Sequence, residues 1–261
     1  MSGEMSGEIS GEMSGKMPGE ISGEMSGEMP GEMSGEMSGD LFDEEVFQMI
    51  KENRKTLIIA SIVTVLPILA GVLIWDRLPD MMATHFGLDN QANGFSSKPV
   101  TVFGIPLFCL ALLWAAALFT SGDPRRKNVS RKVTVLTFWI VPAVSLVCAA
   151  AIYPYNLGIH MDISYIMGIF LGAMFAVIGN YLPKTRQNYT IGIKVPWTLD
   201  NEKNWNMTHR FGGYLWMAGG ILMIILTLAG LMKPGVMIAI LLIISLVPCI
   251  YSWWLHAARG Y

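Results

Sequence analysis

Six long apolar runs constrain the fold of this chain more than any other feature of its sequence. Each run has 19 to 21 residues, and none of them contains Asp, Glu, Lys or Arg. A helix of about 20 residues crosses a hydrocarbon core of about 30 Å. The runs are 57–75, 100–120, 133–153, 163–182, 211–231 and 236–256. The sequence therefore predicts an all-α fold, a polytopic membrane protein built as a six-span helical bundle.

The composition and the distribution of charge support this prediction. Apolar residues make up 52% of the chain and charged residues only 15%, whereas soluble proteins have about 25% charged residues. Outside the first 40 residues, fourteen Lys and Arg residues flank one set of span ends, and only three flank the other set, namely Arg77, Lys98 and Lys233. Positive charge is retained in the cytoplasm. We therefore expect a multi-pass membrane protein with both termini in the cytoplasm.

Glycine and proline inside the runs predict how the spans pack. Gly168, Gly172 and Ala176 repeat every four residues in the fourth run. Such small residues predict close helix contact, either within the bundle or between protomers. Four runs contain a proline that predicts a kink, at Pro67, Pro106, Pro142 and Pro248.

The N-terminal region differs from the rest of the chain. Residues 2–41 are ten copies of a four-residue unit of the type Ser-Gly-Glu-Met. Glycine at every fourth position disfavours a helix, and no unit offers a core, so we predict that residues 1–40 are a disordered tail. Residues 41–56 begin with acidic and end with basic side chains, which predicts an amphipathic interfacial helix leading into the first span.

The connection between the fourth and fifth runs is nearly thirty residues long and chemically unusual. Loops of this kind commonly carry function. We expect Trp197 and Trp205 to anchor this motif loop, residues 183–210, at the level of the lipid headgroups. The residues that stand out are Asn180, Pro183, Asn188, Gly192, Lys194, Pro196, Trp197, Thr198, Leu199, Trp205, His209 and Arg210.

This pattern closely resembles the signature of the SdpI family of bacterial multi-span membrane proteins. One departure is Lys194-Val195-Pro196-Trp197-Thr198-Leu199, where the family often has Arg-Thr-Pro-Trp-Thr-Leu. Lysine keeps the charge but lacks the planar fork of arginine.

A second patch, between the first two runs, resembles the DUF1648 module that often precedes the motif. Its distinctive residues are Pro79, His85, Phe86, Asn93, Gly94 and Lys98. The chain then divides into a two-span module at 57–120 and a four-span region at 121–261.

The resemblance implies an immunity protein that protects the cell from a secreted membrane-active peptide toxin. It also implies a toxin sensor that sequesters a cytoplasmic repressor of the ArsR type, with the second patch as the extracytoplasmic recognition site. The expected partners are toxin, membrane lipids and that repressor, with no direct binding of nucleic acid. No catalytic motif or metal-ligand spacing is visible, so we expect no enzyme activity and no cofactor. The alternative is a small-molecule or lipid transporter.

Overall fold

The computed structural model describes residues 33–159 and 161–261. Residues 1–32 of the predicted disordered tail therefore lie outside the described residues, whereas residues 33–40 belong to the first helix. Residues 40–261 form one compact unit. In chain order the elements of the described residues are helix α1 (Met33–Leu73), strands β1 (Met81–Phe86) and β2 (Ala92–Ser97), and helices α2 (Ile105–Ser121), α3 (Arg131–Asn156), α4 (Ile163–Tyr181), α5 (Pro196–Asp200), α6 (Glu202–Leu228) and α7 (Pro234–Arg259).

Six of these helices are long and apolar enough to cross a membrane, which confirms the predicted six-span bundle. Two helices, the first and α6, begin well before their apolar runs. The first is continuous through residues 41–56, because the sequence has neither Gly nor Pro between Asp40 and Leu66 to interrupt it. Helix α6 begins at Glu202, nine residues before the run, so that the last part of the motif loop is helical.

Helices α4 and α6 pack closely along a seam of small residues. A Cβ atom added at Gly220 would lie 2.4 Å from the carbonyl oxygen of Gly172 and 2.6 Å from the backbone nitrogen of Ala176. Further along the seam, a Cβ at Gly179 would lie 2.7 Å from the carbonyl oxygen of Gly213. The small-residue stripe predicted in the fourth span thus serves contact within the bundle.

Polar side chains tie α1 to α3 near the prolines. Ser145 Oγ donates to the carbonyl oxygen of Thr64 at 2.7 Å, and the Tyr153 hydroxyl donates to that of Pro67 at 2.9 Å. In the second span Pro106 follows a π-helical turn, Val100–Gly104. The wider turn changes the backbone hydrogen-bond pattern just before Pro106, which has no N–H to donate.

The connection between the first two spans forms a β-hairpin, which the sequence analysis did not predict. Strands β1 and β2 pair antiparallel, from Met81 opposite Ser97 to Phe86 opposite Ala92, with an irregular register between Ala83 and Phe86. The hairpin and the turn between α3 and α4 lie at one end of the bundle. The motif loop, the turn between α2 and α3, and the end of α7 lie at the other.

Candidate functional site

The motif loop folds into a compact structure, which we call the cap (residues 183–210), organised around the side chain of Asn188. This side chain is fully buried. Its Nδ2 donates to the carbonyl oxygens of Arg186 and Ile191 at 2.8 and 3.1 Å. Its Oδ1 accepts from the backbone N–H groups of Thr190 and Ile191 at 2.9 and 2.7 Å. One side chain therefore closes the loop from both sides, as Asn commonly does in turns.

A buried carboxylate from the turn between α2 and α3 holds the same loop. Asp123 is only 3% exposed. Its Oδ2 accepts from the backbone N–H of Tyr189 at 2.9 Å and from the hydroxyl of Thr190. Its Oδ1 accepts from the backbone N–H of Arg125 at 2.8 Å. Three donors satisfy this carboxylate and fix the cap to the neighbouring turn.

Gln187 makes a second connection between the cap and that turn. Its Oε1 accepts from Arg125 Nη1, and its backbone carbonyl accepts from Asn128 Nδ2 at 2.7 Å. Its Nε2 donates to the carbonyl oxygens of Thr198 and Leu199 at 2.8 and 2.9 Å, at the short helix α5. The guanidinium of Arg125 also stacks over the ring of Tyr189, 4.9 Å from its centroid. Both ends of the motif are thereby held in one network.

The beginning of α5 is fixed by the buried hydroxyl of Thr198. This hydroxyl accepts from the backbone N–H of Val195 at 3.0 Å and lies 2.9 Å from the carbonyl oxygen of Ile193, to which it donates. Pro196 occupies the first position of α5, where a missing N–H is tolerated. The Pro-Trp-Thr-Leu sequence of the motif therefore encodes a helix start.

Trp205 and His209 form the floor of the cap. Trp205 is completely buried; its Nε1 donates to the carbonyl oxygen of Thr185 at 2.8 Å, and its ring stacks on His209 with centroids 3.8 Å apart. His209 Nε2 accepts from the backbone N–H of Ile193 at 3.0 Å, so Nδ1 carries the proton and donates to the carbonyl oxygen of Trp205 at 2.8 Å. Gly192, at φ +133°, is required here because a Cβ would lie 2.3 Å from Nε2.

These contacts correct the expected role of Trp205. Trp205 cannot anchor the loop among lipid headgroups, since it has no exposed surface and its indole N–H is bonded inside the cap. Trp197 is half-buried and stacks on His256 of α7, with centroids 6.0 Å apart. Both aromatic rings pack against the protein itself, which the sequence pattern alone could not distinguish from packing against lipid.

The remaining motif residues lie on the outer surface of the cap. Lys194 is exposed, and its Nζ donates to the carbonyl oxygens of Tyr189 and Thr190 at 3.1 and 2.9 Å. Leu199 is half-buried. The other exposed residues that the sequence singled out are Asn180, Pro183, Pro196 and Arg210. Four of the twelve predicted residues are thus buried, and five are exposed and available for contact.

The hairpin at the opposite end is docked on the bundle by two asparagines. Asn156, at the end of α3, accepts from the backbone N–H of Ala83 at 2.8 Å and donates to its carbonyl oxygen at 3.0 Å, in the manner of a neighbouring strand. Asn90 in the hairpin turn adopts φ 64° and donates to Asp162 at 2.6 Å. Its Oδ1 accepts from the backbone N–H of Ser164 at 3.2 Å.

The predicted recognition residues take different roles within the hairpin. His85 is exposed, and its Nδ1 lies 2.6 Å from Asn93 Oδ1 across the strands. The ring of Phe86 packs edge-on against Tyr155 of α3, 4.7 Å between centroids. Gly94 pairs with His85, where a Cβ would lie 2.8 Å from the Cβ of that histidine.

Lys98 ends the hairpin and Pro79 precedes it. The ammonium group of Lys98 pairs with Asp80 at 3.3 Å and lies over the ring of Trp75, 5.3 Å from its centroid. Pro79 is exposed. The hairpin also exposes three large apolar side chains, Met81, Leu88 and Phe95, which are 58%, 69% and 58% exposed. These side chains give the hairpin exposed apolar surface.

Sequence reasoning missed Asp123, Asn156 and the pair formed by Asn90 and Asp162. Asp123 carried one signal, because it is the only acid among the basic residues between the second and third runs. The asparagines carried none, since their partners are 72 to 74 positions away in the chain. Within residues 33–159 and 161–261, no group of three His, Cys, Asp or Glu side chains is placed to hold a metal ion.

The fold and the two ends of the bundle define a class of protein. It is a multi-pass membrane protein with a docked hairpin at one end and, at the other end, a cap that is organised around buried side chains. Residues 184–252 match the model of the SdpI/YfhL protein family, and residues 62–110 match that of a domain of unknown function, DUF1648. The chain is 24% identical over 175 residues to the immunity protein SdpI of Bacillus subtilis (strain 168), covering 65% of this chain and 80% of that protein.

These matches confirm the resemblance to the SdpI family that the sequence analysis drew from the two patches. The family region contains the cap, α6 and most of α7, and the DUF1648 region contains the hairpin. The protein is therefore an immunity-protein-like membrane protein. No solved structure matches the chain significantly.

Proposed function

We propose that this protein protects its cell from a secreted, membrane-active peptide toxin, and that it acts by binding rather than by catalysis. The chain is similar to an immunity protein over 175 residues, and two family models match the regions that contain the hairpin and the cap. Fourteen basic residues flank the cap side and three flank the hairpin side, which supports a cytoplasmic cap, cytoplasmic termini and an external hairpin in the bacterial plasma membrane. The hairpin then faces the compartment from which a secreted toxin arrives.

The observation that carries this proposal is the docked, apolar surface of the hairpin. A hairpin alone is marginally stable in water, but Asn156 and Asn90 fasten this one to α3 and α4. It therefore presents Met81, Leu88 and Phe95 at fixed positions. Large apolar side chains that are exposed on a rigid support suit the binding of an amphipathic peptide, because little conformational entropy is lost.

Survival of a toxin-sensitive host tests the proposal. Expression of the wild-type chain should protect the host, and Phe95→Ser should lower protection strongly, because it removes an exposed ring without disturbing the docking contacts. Leu231→Ser is a matched control, since Leu231 is 59% exposed in the turn between α6 and α7 on the same side of the bundle. Equal protection by both variants, at equal membrane abundance, would refute the assignment of toxin binding to the hairpin.

We further propose that the outer surface of the cap reports toxin binding to the cytoplasm, with a repressor of the ArsR type as its partner and membrane lipids beside it. Lys194, Arg210 and Pro196 are exposed there, while the buried framework keeps their spacing fixed. Site-specific crosslinking from Pro196 in cells that express such a repressor tests this proposal. Crosslinks should increase when toxin is added. Crosslinks that do not depend on toxin would contradict a reporting role.

Orientation has a direct test of its own in a variant that lacks the three native cysteines. Gln91→Cys in the hairpin turn should react with an impermeant maleimide added outside intact cells. Asp200→Cys at the end of α5 should react only after the inner face is opened, because both residues are exposed on opposite ends of the bundle. Labelling of Asp200→Cys from outside would reverse the proposed topology.

A further inference from the structure

A cavity of about 420 Å³ lies beside the cap, between α1, the end of α2 and the beginning of α3. It is separate from the hairpin and from the exposed surface of the cap. Thr120 and Thr134, which line it, lie at the ends of two predicted spans, Val100–Ser121 and Arg131–Asn156. The cavity is therefore at the boundary between the apolar spans and the basic segments that flank them, where lipid headgroups reside.

The floor of the cavity contains a buried acceptor that needs a donor. Asn53 is only 6% exposed, and its Nδ2 donates to the carbonyl oxygen of Met49 at 3.0 Å. Its Oδ1 is buried and has no hydrogen-bond partner among the residues that the structure describes. Leaving such an atom unbonded costs about 1–3 kcal/mol. The side chain is thus suited to a ligand that brings its own N–H or O–H.

Two threonines beside Asn53 also present hydrogen-bond acceptors on the floor of the cavity. The hydroxyl of Thr120 donates to the carbonyl oxygen of Ala116 at 2.7 Å, and that of Thr134 donates to the carbonyl oxygen of Ser130 at 3.4 Å. Because both protons are used within the helices, the hydroxyl oxygens can only accept from a ligand. All three polar side chains of the floor therefore call for hydrogen-bond donors.

The rim of the cavity, in contrast, is lined mainly by basic side chains. Among the side chains that the structure describes, Arg126, Lys127 and Arg131 line it together with one acid, Glu52. This balance favours an anion, and basic side chains near a membrane surface attract anionic lipid with about 1 kcal/mol each. A matching ligand carries a phosphate at the rim and hydroxyl donors that reach the floor.

We propose that this cavity binds an anionic phospholipid whose headgroup carries free hydroxyls, the phosphatidylglycerol class. The phosphate lies against Lys127 and Arg131, and a glycerol hydroxyl donates to Asn53 Oδ1. The position at the end of the spans favours a lipid over a free phosphate ester, because the acyl chains then remain beside the apolar helix surfaces. The zwitterionic phosphatidylcholine lacks both the net charge and the hydroxyl donors.

Native mass spectrometry of the full-length protein in detergent, with lipids added one at a time, tests this assignment. Phosphatidylglycerol should bind more tightly than phosphatidylmethanol, which has the same charge without hydroxyls, and phosphatidylcholine should bind most weakly. Asn53→Leu should abolish the preference for phosphatidylglycerol over phosphatidylmethanol while leaving the binding of the latter unchanged. Lys127→Gln combined with Arg131→Gln should weaken both anionic lipids roughly thirtyfold, from about 1 kcal/mol per cation.

Lys55→Gln removes an exposed cation of α1 that does not line the cavity, and it should leave all three affinities unchanged. Equal binding of the three lipids would overturn the proposal, and so would a hydroxyl preference that survives Asn53→Leu. Glycerol phosphate that binds as tightly as the lipid would assign the site to a soluble phosphate ester instead. Because the double variant leaves the buried floor intact, the test stands even if Asn53→Leu fails to fold.

Discussion

Replacing Asn188 by aspartate tests whether the cap is held by one buried amide. The change is nearly isosteric, and the oxygen that accepts from the N–H groups of Thr190 and Ile191 is preserved. The Nδ2 donor becomes an oxygen, however, and it then faces the carbonyl oxygens of Arg186 and Ile191 at 2.8 and 3.1 Å. Two hydrogen bonds are lost, and two carbonyls lose their partner beside a side chain that is fully buried.

The magnitude follows from these losses. Each hydrogen bond contributes about 1 kcal/mol, and a buried group left unbonded costs about 1–3 kcal/mol. We expect the free energy of opening the cap to fall by about 3 kcal/mol, which is roughly a hundredfold change in the open population. Because the spans are held by apolar contacts elsewhere, the bundle should remain folded and inserted.

Limited trypsin digestion measures this opening, since exposed Arg186 and Lys194 lie within the cap. At low protease, where the rate reports the open population, Asn188→Asp should be cleaved there roughly a hundredfold faster than wild type. Asn180→Asp is the matched control: Asn180 is exposed and accepts from Lys184 Nζ at 3.3 Å, so a carboxylate is tolerated there. Cleavage of Asn188→Asp at the wild-type rate would refute the central role of this side chain.

Three further predictions concern the seam, the hairpin and the outer surface of the cap. Gly220→Ala should destabilise the bundle by at least 1–3 kcal/mol, measured as a lower melting temperature in detergent, because its Cβ would lie 2.4 Å from a carbonyl oxygen. Gly235→Ala is the control and should leave the melting temperature unchanged, since nothing lies near its Cβ. Asn156→Ala removes both bonds that dock the hairpin, so the amide of Ala83 should exchange its hydrogen faster. The free energy of opening that protects this amide should fall by about 1–2 kcal/mol. Lys194→Glu should abolish a toxin-dependent transcriptional reporter while reducing survival only modestly, since coupling between two sites is commonly 1–3 kcal/mol; a normal reporter response would contradict this.

The spans were predictable because an apolar run without charge has few alternatives in a chain of this composition. The same reasoning placed the boundary of α6 nine residues late, since Glu202 and Asn204 are polar. Asn204 is nevertheless buried, where it donates to the carbonyl oxygen of Ser252 and accepts from its hydroxyl. A polar residue that is satisfied by a distant helix has no signature in local hydropathy.

The residues of the cap were predictable as a set, but their roles were not. The motif showed which positions are unusual, and it could not separate Trp205, which is buried, from Lys194, which is exposed. Burial of the tryptophan depends on Thr185 and His209, and the loop is closed by Asp123 from another part of the chain. The hairpin escaped prediction for a related reason, because its strands are short and are stabilised by contacts with α3 and α4.

The turn between α2 and α3 links the cap to the proposed lipid cavity, and this link has a measurable consequence. Asp123 and Arg125 bind the cap, while Arg126 and Lys127, next in sequence, line the cavity. If the lipid orders this turn, phosphatidylglycerol slows cleavage of the cap by trypsin. Linkage then requires that opening the cap weakens lipid binding by the same factor, since the two effects share one coupling free energy. Asn188→Asp should therefore lower the affinity for phosphatidylglycerol in proportion to the fraction of open caps, up to the factor by which saturating lipid protects the wild-type cap. Protection by lipid without any loss of lipid affinity in a preparation of this variant whose caps are mostly open would show that the two effects arise at different sites.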